Sequence, residues 1–408
     1  MISSHHLVWI ANLTFSEIHL EDSAAPPFLL YHEAPTDANW NATTKSFDHN
    51  FIVDWLTWNP GEHFVQACFT HVLKHSTASP PLVLDVGANA GFYGILSLAY
   101  GANVVFFDAQ PSCWQWIESA LHANNVYSST SAHFSKVFER AQLVTAAIAT
   151  QRSQLKVERP TIRVDRSSGC DGQYSLRFLQ VKDEKAQAAA PIKREIDTVR
   201  VLGLDSVGGL LRDALLSSKS STPPWSAAPT PIPPPISLVK IDVEGMELGV
   251  LSTNFMELLS RKQIANLVIE ITPTWWSQNM VHGHTTATSV NDAGTIFSQI
   301  SSFGYRIIPN TLHKCAPYLT TRASCKGLLP YTRCAADKAA QTAVAGETPD
   351  KDRPLRPDDS CSQLNASSTS LIQGYLKLGL ATQMSHDHHK CRTQWRCKVQ
   401  EDWWIFLP

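Results

Sequence analysis

The sequence has no excess of charge of either sign and no long apolar run free of charge. Its 408 residues include 34 Lys and Arg against 36 Asp and Glu, so no overall positive field favours nucleic acid as a partner. The sequence contains no uncharged run of about eighteen apolar residues, which argues against a transmembrane helix. The start of the chain has no basic region followed by a long apolar one, so no signal peptide is visible. We expect a soluble globular protein with two or three average domains, or one α/β domain with insertions.

The spacing Cys-x-x-Cys, which zinc ribbons use, is also missing. Six of the nine cysteines lie in the last quarter of the chain, where they could form three disulfides, stay reduced or bind a metal: Cys315, Cys325, Cys334, Cys361, Cys391 and Cys397. Disulfides need an oxidising compartment. The triplets at Asn12, Asn41 and Asn365 would be glycosylation sites in a secretory protein. Together these features favour the lumen of the secretory pathway over the cytoplasm without deciding between them.

A strand, a glycine turn, a helix and a second strand follow one another near the first third of the chain. The aliphatic run Leu82–Val86 predicts a buried parallel strand. Gly87, Asn89 and Gly91 predict a tight turn in which the backbone can approach a ligand closely. The pattern continues with a helix, a glycine stop, a strand and an acid: Phe92–Tyr100, Gly101, Val104–Phe107 and Asp108.

The acid and the glycine spacing together indicate the kind of ligand. Asp108 lies about 20 residues past the glycine turn, where a Rossmann-like unit binds a ribose hydroxyl. A dinucleotide fingerprint needs G-x-G-x-x-G, whereas this chain has Asn89 and Phe92 at the second and third glycine positions. S-adenosylmethionine has no phosphate, and its sulfonium, amino and carboxylate groups suit Asp85, Asn89 and the turn amides. The spacing therefore favours S-adenosylmethionine over a dinucleotide.

Acidic residues follow two later strands. The segment LVKIDVEGME predicts a strand that ends in Asp242 and Glu244 and is followed by a helix through Leu259, and the next apolar run carries Glu270. Ligands of open parallel sheets bind at the carboxyl ends of the strands, so we expect these acids on the same rim as the glycine turn. Alternatively, Glu244 or Glu247 only caps the helix N-terminus.

Four segments in this order resemble the FkbM-type family of S-adenosylmethionine-dependent methyltransferases: VLDVGANAGFYG, VVFFDAQPSCW, LVKIDVEGMELGVL and LVIEITP. The resemblance covers residues 80–308, and the closing residues 402–408 resemble the family's final strand. It implies an α/β, Rossmann-like class I methyltransferase with a seven-stranded, mostly parallel sheet and an antiparallel final hairpin. It also implies O-methylation of a hydroxyl on a sugar or natural product. Where the family often has Glu-Pro, this chain has Asp108-Ala-Gln.

By motif match, the resemblance implies that four residues contact the methionine part of the donor: Asp85, Gly87, Asn89 and Gly91. It implies that Asp108 contacts the ribose. Asp242 and Glu244 would line the reaction side. A base near the acceptor hydroxyl would assist the transfer, and its candidates are Asp242, Glu244, Glu270 and the pair His282 and His284. Asp242 with Glu270 could instead hold a magnesium ion. Trp275 and Trp276 could stack on a sugar ring or pack in the core.

We expect four regions along the chain: an N-terminal extension or cap at 1–75, a methyltransferase domain at 76–309, a cysteine-containing insertion at 310–400 and a closing strand at 401–408. The insertion is longer than ordinary loops, so it would form a lid or subdomain and bear on the identity of the acceptor, a small molecule or a glycan. Two rival functions share the fold, a catalytically silent glycan-binding module and a dinucleotide-dependent oxidoreductase. Neither the acceptor nor the oligomeric state follows from the sequence.

Overall fold

The structure of the protein is a computed structural model. It describes the following residues: 2–10, 13–20, 27–32, 40–41, 46–47, 60–78, 80–127, 136–148, 161–165, 170, 196–202, 236–273, 276, 286–310, 363–366, 368–386 and 401–408. The chain divides into two compact units, the first made of 1–149 and 154–240 and the second of 150–153 and 241–408. Among the described residues, no helix has the length and apolar character needed to cross a membrane.

The elements up to the boundary between the units are mostly strands, with helices around the glycine turn: β1 (Ile2–Ile10), β2 (Leu13–Leu20), β3 (Phe28–His32), β4 (Trp40–Asn41), β5 (Ser46–Phe47), α1 (Pro60–His75), β6 (Leu82–Val86), α2 (Phe92–Ala99), β7 (Asn103–Asp108), α3 (Pro111–Tyr127), α4 (Val137–Arg140), β8 (Ala141–Thr145), β9 (Ala147–Ile148), β10 (Thr161–Asp165), β11 (Ile196–Leu202) and β12 (Leu238–Ile241). The strands β1, β2 and β3 form an antiparallel sheet. A smaller sheet joins β10, β11 and β9.

The elements after β12 alternate helices and strands: α5 (Glu247–Val250), a π-helical segment (Leu251–Phe255), α6 (Met256–Ser260), β13 (Asn266–Ile271), α7 (Thr286–Ser302), β14 (Arg306–Pro309), α8 (Thr369–His386) and β15 (Glu401–Phe406). The sequence predicts one helix through Leu259. Helical structure runs from Glu247 to Ser260, past Leu259, and the π-helical segment lies within it.

Seven strands form the central sheet in the order β14, β15, β13, β12, β6, β7 and β8. The strands β6, β7 and β8 run parallel, with Asp85 opposite Phe106 and Val104 opposite Ala141. The last strand, β15, runs antiparallel to both β13 and β14. The predicted α/β class with a seven-stranded, mostly parallel sheet is therefore confirmed, and it is compatible with a Rossmann-like methyltransferase.

The core of the first unit forms around β6, β7 and α2. Every residue of β6 and of α2 is buried, as expected for uninterrupted apolar runs covered on both faces. Gly94 of α2 lies so close to the ring of Phe106 that a Cβ there would overlap it. The guanidinium of Arg140 donates to the carbonyls of Leu98 and Ala102, at 3.1 and 2.9 Å. The guanidinium thereby links the C-terminal end of α2 to the residue that precedes β7.

The N-terminal strand β3 packs on the same unit. The amide of Leu29 donates to Oδ1 of Asn124 at 2.9 Å, and Nδ2 of Asn124 donates back to the carbonyl of Leu29 at 2.7 Å. The ring of Phe28 contacts that of Phe92 at the start of α2, with 5.8 Å between centroids. The sequence contains no signal that assigns this segment to the core. The expected extension at 1–75 stays a prediction; within it, β3 packs on α2 and α3, and Phe69 of α1 contacts Tyr93 of α2.

The core of the second unit contains the aromatic residues of β15. The rings of Phe297 and Trp403 lie 4.7 Å apart between centroids, and Trp403 is fully buried. Helix α8, which falls within the expected insertion, packs against α7, where a Cβ on Gly294 would lie 2.6 Å from Cγ of Gln373. All six C-terminal cysteines, from Cys315 to Cys397, lie outside the described residues, so their state stays a prediction.

Replacing Asn124 by Ala tests how β3 is held. The change leaves the buried amide and carbonyl of Leu29 without their side-chain partner, and each unsatisfied buried group costs about 1–3 kcal/mol. We expect a loss of about 3 kcal/mol in the free energy of unfolding, measured by chemical denaturation. Asn125→Ala on the same helix is the matched control, because Asn125 is half-buried, and it should cost within about 0.5 kcal/mol. Equal losses in the two variants would contradict the contact.

Candidate functional site

The turn between β6 and α2 has a left-handed backbone at alternate positions. The φ angles are 78° at Gly87, 52° at Asn89 and 84° at Gly91. Glycine adopts this region without the cost that a Cβ imposes, and asparagine tolerates it better than most residues. A Cβ at Gly91 would also lie 2.8 Å from Cγ1 of Ile117. These constraints explain why the two glycines and the asparagine occur at this spacing.

Hydrogen bonds join the amides of this turn to acceptors at the end of β7. The amides of Gly87 and Ala88 both donate to the carbonyl of Phe107, at 2.9 and 3.0 Å. The amide of Asn89 donates to Oδ2 of Asp108 at 2.6 Å. The structure thus brings three of the predicted site residues, Gly87, Asn89 and Asp108, into direct or adjacent contact. The amides of Gly87, Ala88 and Asn89 therefore donate to acceptors of the protein itself.

Asp108 is a buried carboxylate with two backbone partners. Its Oδ1 accepts from the amide of Gln110 at 2.7 Å, and its Oδ2 accepts from Asn89. Burial raises the pKa of Asp108 to about 7; the two amides act against this rise, the charge of Asp85 adds to it and that of Lys240 opposes it. Each carboxylate oxygen can accept more than one hydrogen bond, so Asp108 retains capacity for hydroxyl groups of a ligand.

Asp85 anchors the first turn of α2. Its side chain is fully buried, and its Oδ2 accepts from the amide of Gly94 at 2.8 Å. A carboxylate at the N-terminal end of a helix is also stabilised by the helix dipole. The ammonium of Lys240 lies 4.0 Å from Oδ1 of Asp85. In this arrangement Asp85 stabilises the first turn of α2 through its hydrogen bond to the amide of Gly94.

A disulfide covers one side of the turn. It joins Cys113 of α3 to Cys170, and the two cysteines pack with Ala90 in one buried cluster. The sulfur of Cys170 lies 3.0 Å from Oδ1 of Asn89; because a disulfide sulfur carries no proton, this is a packing contact. The sequence does not predict this pair, because spacing alone does not determine connectivity.

Three carboxylates form a separate cluster in the second unit. Oxygen atoms of Asp242, Glu244 and Glu270 all lie within 4.8 Å of one another. Burial raises the pKa of Glu270 well above its usual value, and the charges of Asp242, Glu244, Glu247 and Asp402 raise it further. Glu270 therefore holds its proton to a higher pH than an exposed glutamate does. Such a cluster can transfer a proton, and oxygen ligands at this spacing also suit a hard cation such as magnesium.

Glu247 holds the loop that carries two of these acids. Its Oε1 accepts from the amides of Val243 and Gly245, at 3.0 and 2.9 Å, and its Oε2 accepts from the indole of Trp276 at 2.7 Å. Burial raises the pKa of Glu247, and these hydrogen bonds act against the rise. Glu244 has a φ of 54°, a conformation that few non-glycine residues adopt without support. The amides of Val243 and Gly245 lie in the loop before the helix, so Glu247 orders the acidic loop. The alternative that Glu244 or Glu247 caps the helix N-terminus stays a prediction.

The remaining predicted residues divide into buried and undescribed ones. Trp276 is fully buried and donates to Glu247, which favours the core-packing alternative over stacking on a sugar. Trp275, His282 and His284 lie outside the described residues, so their roles stay predictions. Lys240 and Glu247 were missed as positioning groups, since the contacts that distinguish them come from other elements.

Comparison with known proteins shows that one part of the chain is similar to a described family. Residues 228–307 match the family model described as Methyltransferase FkbM domain. The matched range contains β12, the acidic loop, β13 and α7. No curated protein and no solved structure matches the chain. The predicted resemblance to the FkbM-type family is confirmed over this range, and the match supports methyltransferase activity in general.

Replacing Glu247 by Ala tests whether this carboxylate holds the acidic loop. The change removes the acceptor of two backbone amides and of a buried indole, and each such loss costs about 1–3 kcal/mol. We expect the free energy of unfolding to fall by about 3 kcal/mol or more in chemical denaturation. Glu257→Ala is the control, because Glu257 pairs with Arg261 on an exposed helix surface, and such pairs contribute at most about 1 kcal/mol. Similar losses in both variants would rule out this role.

Proposed function

We propose that the protein is an S-adenosylmethionine-dependent O-methyltransferase that acts on a hydroxyl of a sugar, a glycan or a natural product. The observation that carries the proposal is the carboxylate of Asp108, which lies at the end of β7 and binds the amide of Asn89 in the glycine turn. This is the position from which an acid binds a ribose in Rossmann-like units. The FkbM methyltransferase match at 228–307 supplies the reaction class.

The turn supports a donor that lacks phosphate. Pyrophosphate sites depend on backbone amides that point at the ligand. Here the amides of Gly87, Ala88 and Asn89 already donate to groups at the end of β7, and Phe92 occupies the third glycine position. A cationic donor needs carboxylates more than it needs amides. This argument favours S-adenosylmethionine and speaks against the dinucleotide-dependent oxidoreductase.

The predicted donor residues would then act in two ways. Asp108 would accept hydrogen bonds from the ribose hydroxyls, and the side chain of Asn89 would meet the methionine part of the donor. Gly87 and Gly91 would let the backbone come close to the donor, because neither carries a Cβ. Asp85 would act through Gly94 and the helix, since its own side chain is fully buried.

The reaction is a single displacement. The bound donor supplies an electrophilic methyl group on a sulfonium sulfur. The acceptor oxygen forms a bond to the methyl carbon while the carbon–sulfur bond breaks, its electron pair stays on sulfur, and the hydroxyl proton passes to a base. The chain contributes alignment of the acceptor and a base worth about 10²–10⁴-fold. Asp242, Glu244, Glu270 and His282 are the candidates for this base, and the raised pKa of Glu270 makes it a stronger base than an ordinary carboxylate.

Magnesium is a second way to activate the acceptor hydroxyl. Asp242, Glu244 and Glu270 would hold the ion through their oxygens, which lie within 4.8 Å of one another. A bound cation lowers the pKa of a hydroxyl that it contacts. Carboxyl clusters also occur without a cation, so activity with and without magnesium separates a metal site from a protein base.

Donor binding and its pH dependence test the role of Asp108. Isothermal titration should show binding of S-adenosylmethionine that weakens as pH falls through about 7, because Asp108 becomes protonated there and loses its negative charge. Asp108→Ala should weaken binding by on the order of tenfold, and Asp85→Ala should weaken it too. Glu118→Gln, on the exposed face of α3, is the control. Unchanged heats in both aspartate variants would refute the site.

Methyl transfer tests the acidic loop separately from donor binding. Asp242→Asn should leave the donor affinity nearly intact and cut transfer by about 10²–10⁴-fold, the contribution of a proton-transfer group. The measurement is transfer of labelled methyl to a panel of glycans and small hydroxylated metabolites, with and without magnesium. Turnover equal to that of the unmodified protein would remove Asp242 from the mechanism. Donor binding with no transfer to any acceptor would favour the catalytically silent glycan-binding module.

A further inference from the structure

Lys240 is a buried cation whose neighbours belong to the glycine-turn unit. Its side chain is only 8% exposed, and lysine is rarely buried to this degree unless its charge is compensated. Its Nζ lies 4.0 Å from Oδ1 of Asp85 and 3.4 Å from the carbonyl of Gly87. It also lies 5.3 Å from the ring centroid of Tyr93, within the range of a cation–π interaction.

These three neighbours come from three consecutive elements. Asp85 lies in β6, Gly87 opens the turn and Tyr93 lies in the first turn of α2. Gly87 has a φ of 78°, and its carbonyl direction is therefore set by a backbone conformation that only a few residues adopt. One ammonium group thus contacts the strand, the turn and the helix of the unit that would meet the donor.

The charges around the turn also have a simple sum. Asp85 and Asp108 in their ionised forms contribute two negative charges and Lys240 contributes one positive charge, which leaves a net charge of about −1. S-adenosylmethionine carries a sulfonium, an ammonium and a carboxylate, so its net charge is about +1. With both aspartates ionised, the site that contains Lys240 and the donor therefore carry opposite net charges of equal size.

We infer that Lys240 is a positioning residue of the donor site, which holds the carbonyl of Gly87 and the carboxylate of Asp85 in the geometry that S-adenosylmethionine meets. The inference rests on the proposed function. Lys240 does not touch the reacting atoms in this role. Its charge is also among those that oppose the rise in the pKa of Asp108, together with the amides of Gln110 and Asn89 and against the charge of Asp85.

The test compares donor binding by Lys240→Met with that of the unmodified full-length chain. Methionine keeps most of the apolar stem but removes the charge, so binding of S-adenosylmethionine should weaken by on the order of tenfold. The pH midpoint of binding should also move upward, because Asp108 loses a favourable neighbour. Lys240→Arg should restore part of the affinity. Lys377→Met, on the exposed surface of α8, should leave both quantities unchanged.

Above the pH at which Asp108 ionises, a lysine that only stabilises the fold would leave the donor affinity of the folded Lys240→Met variant unchanged. Lys240→Met with the original affinity at that pH would therefore overturn the inference while leaving the proposed function intact. Absence of donor binding by the unmodified protein would instead refute the proposed function. If Lys240→Met fails to fold, the double variant Asp85→Asn/Lys240→Met removes both charges of the pair. Because Asp85→Asn itself alters the donor site, the double variant is compared with Asp85→Asn alone: weaker donor binding by the double variant supports the inference, and equal binding overturns it.

Discussion

The site depends first on the hydrogen bonds between the glycine turn and the end of β7. The carbonyl of Phe107 accepts two turn amides, and the carboxylate of Asp108 accepts a third. These bonds stabilise a backbone with left-handed residues at Gly87, Asn89 and Gly91. Without them, the turn could adopt other backbone conformations. They also place Asp108 beside the turn, so a ligand that binds the acid must also meet the turn.

Buried carboxylates are the main electrostatic cost of this chain, and the protein stabilises them in different ways. Asp85, Asp108 and Glu247 accept backbone amides, which partly replace the hydration that burial removes. Glu270 lies among other acids, and its pKa is raised well above its usual value. The first arrangement favours a group that backbone amides hold in place and that orders a turn or loop. The second favours a group that exchanges a proton, so the two kinds of acid suit binding and catalysis respectively.

Local sequence patterns predicted the central elements well because their signals are local. The aliphatic run of β6, the turn glycines and the stop at Gly101 each determine a few neighbouring residues, and the observed bounds differ by only a few positions. The contact of Lys240 with the turn, the Cys113–Cys170 disulfide and the bond between Asn124 and Leu29 join residues far apart in the chain. No periodicity indicates such pairs. The π-helical segment after α5 was not predicted, because no pattern in its residues separates it from an α-helix.

The central claim is that Asp108 and the glycine turn bind the nucleoside part of a methyl donor. The most direct measurement is a crystal structure of the protein with S-adenosylhomocysteine, the product that the proposed reaction would leave. We expect the ribose hydroxyls within hydrogen-bond distance of the Asp108 carboxylate, with the homocysteine part beside Asn89. A ligand ordered elsewhere on the protein, with Asp108 making only its contacts to Asn89 and Gln110, would contradict the account.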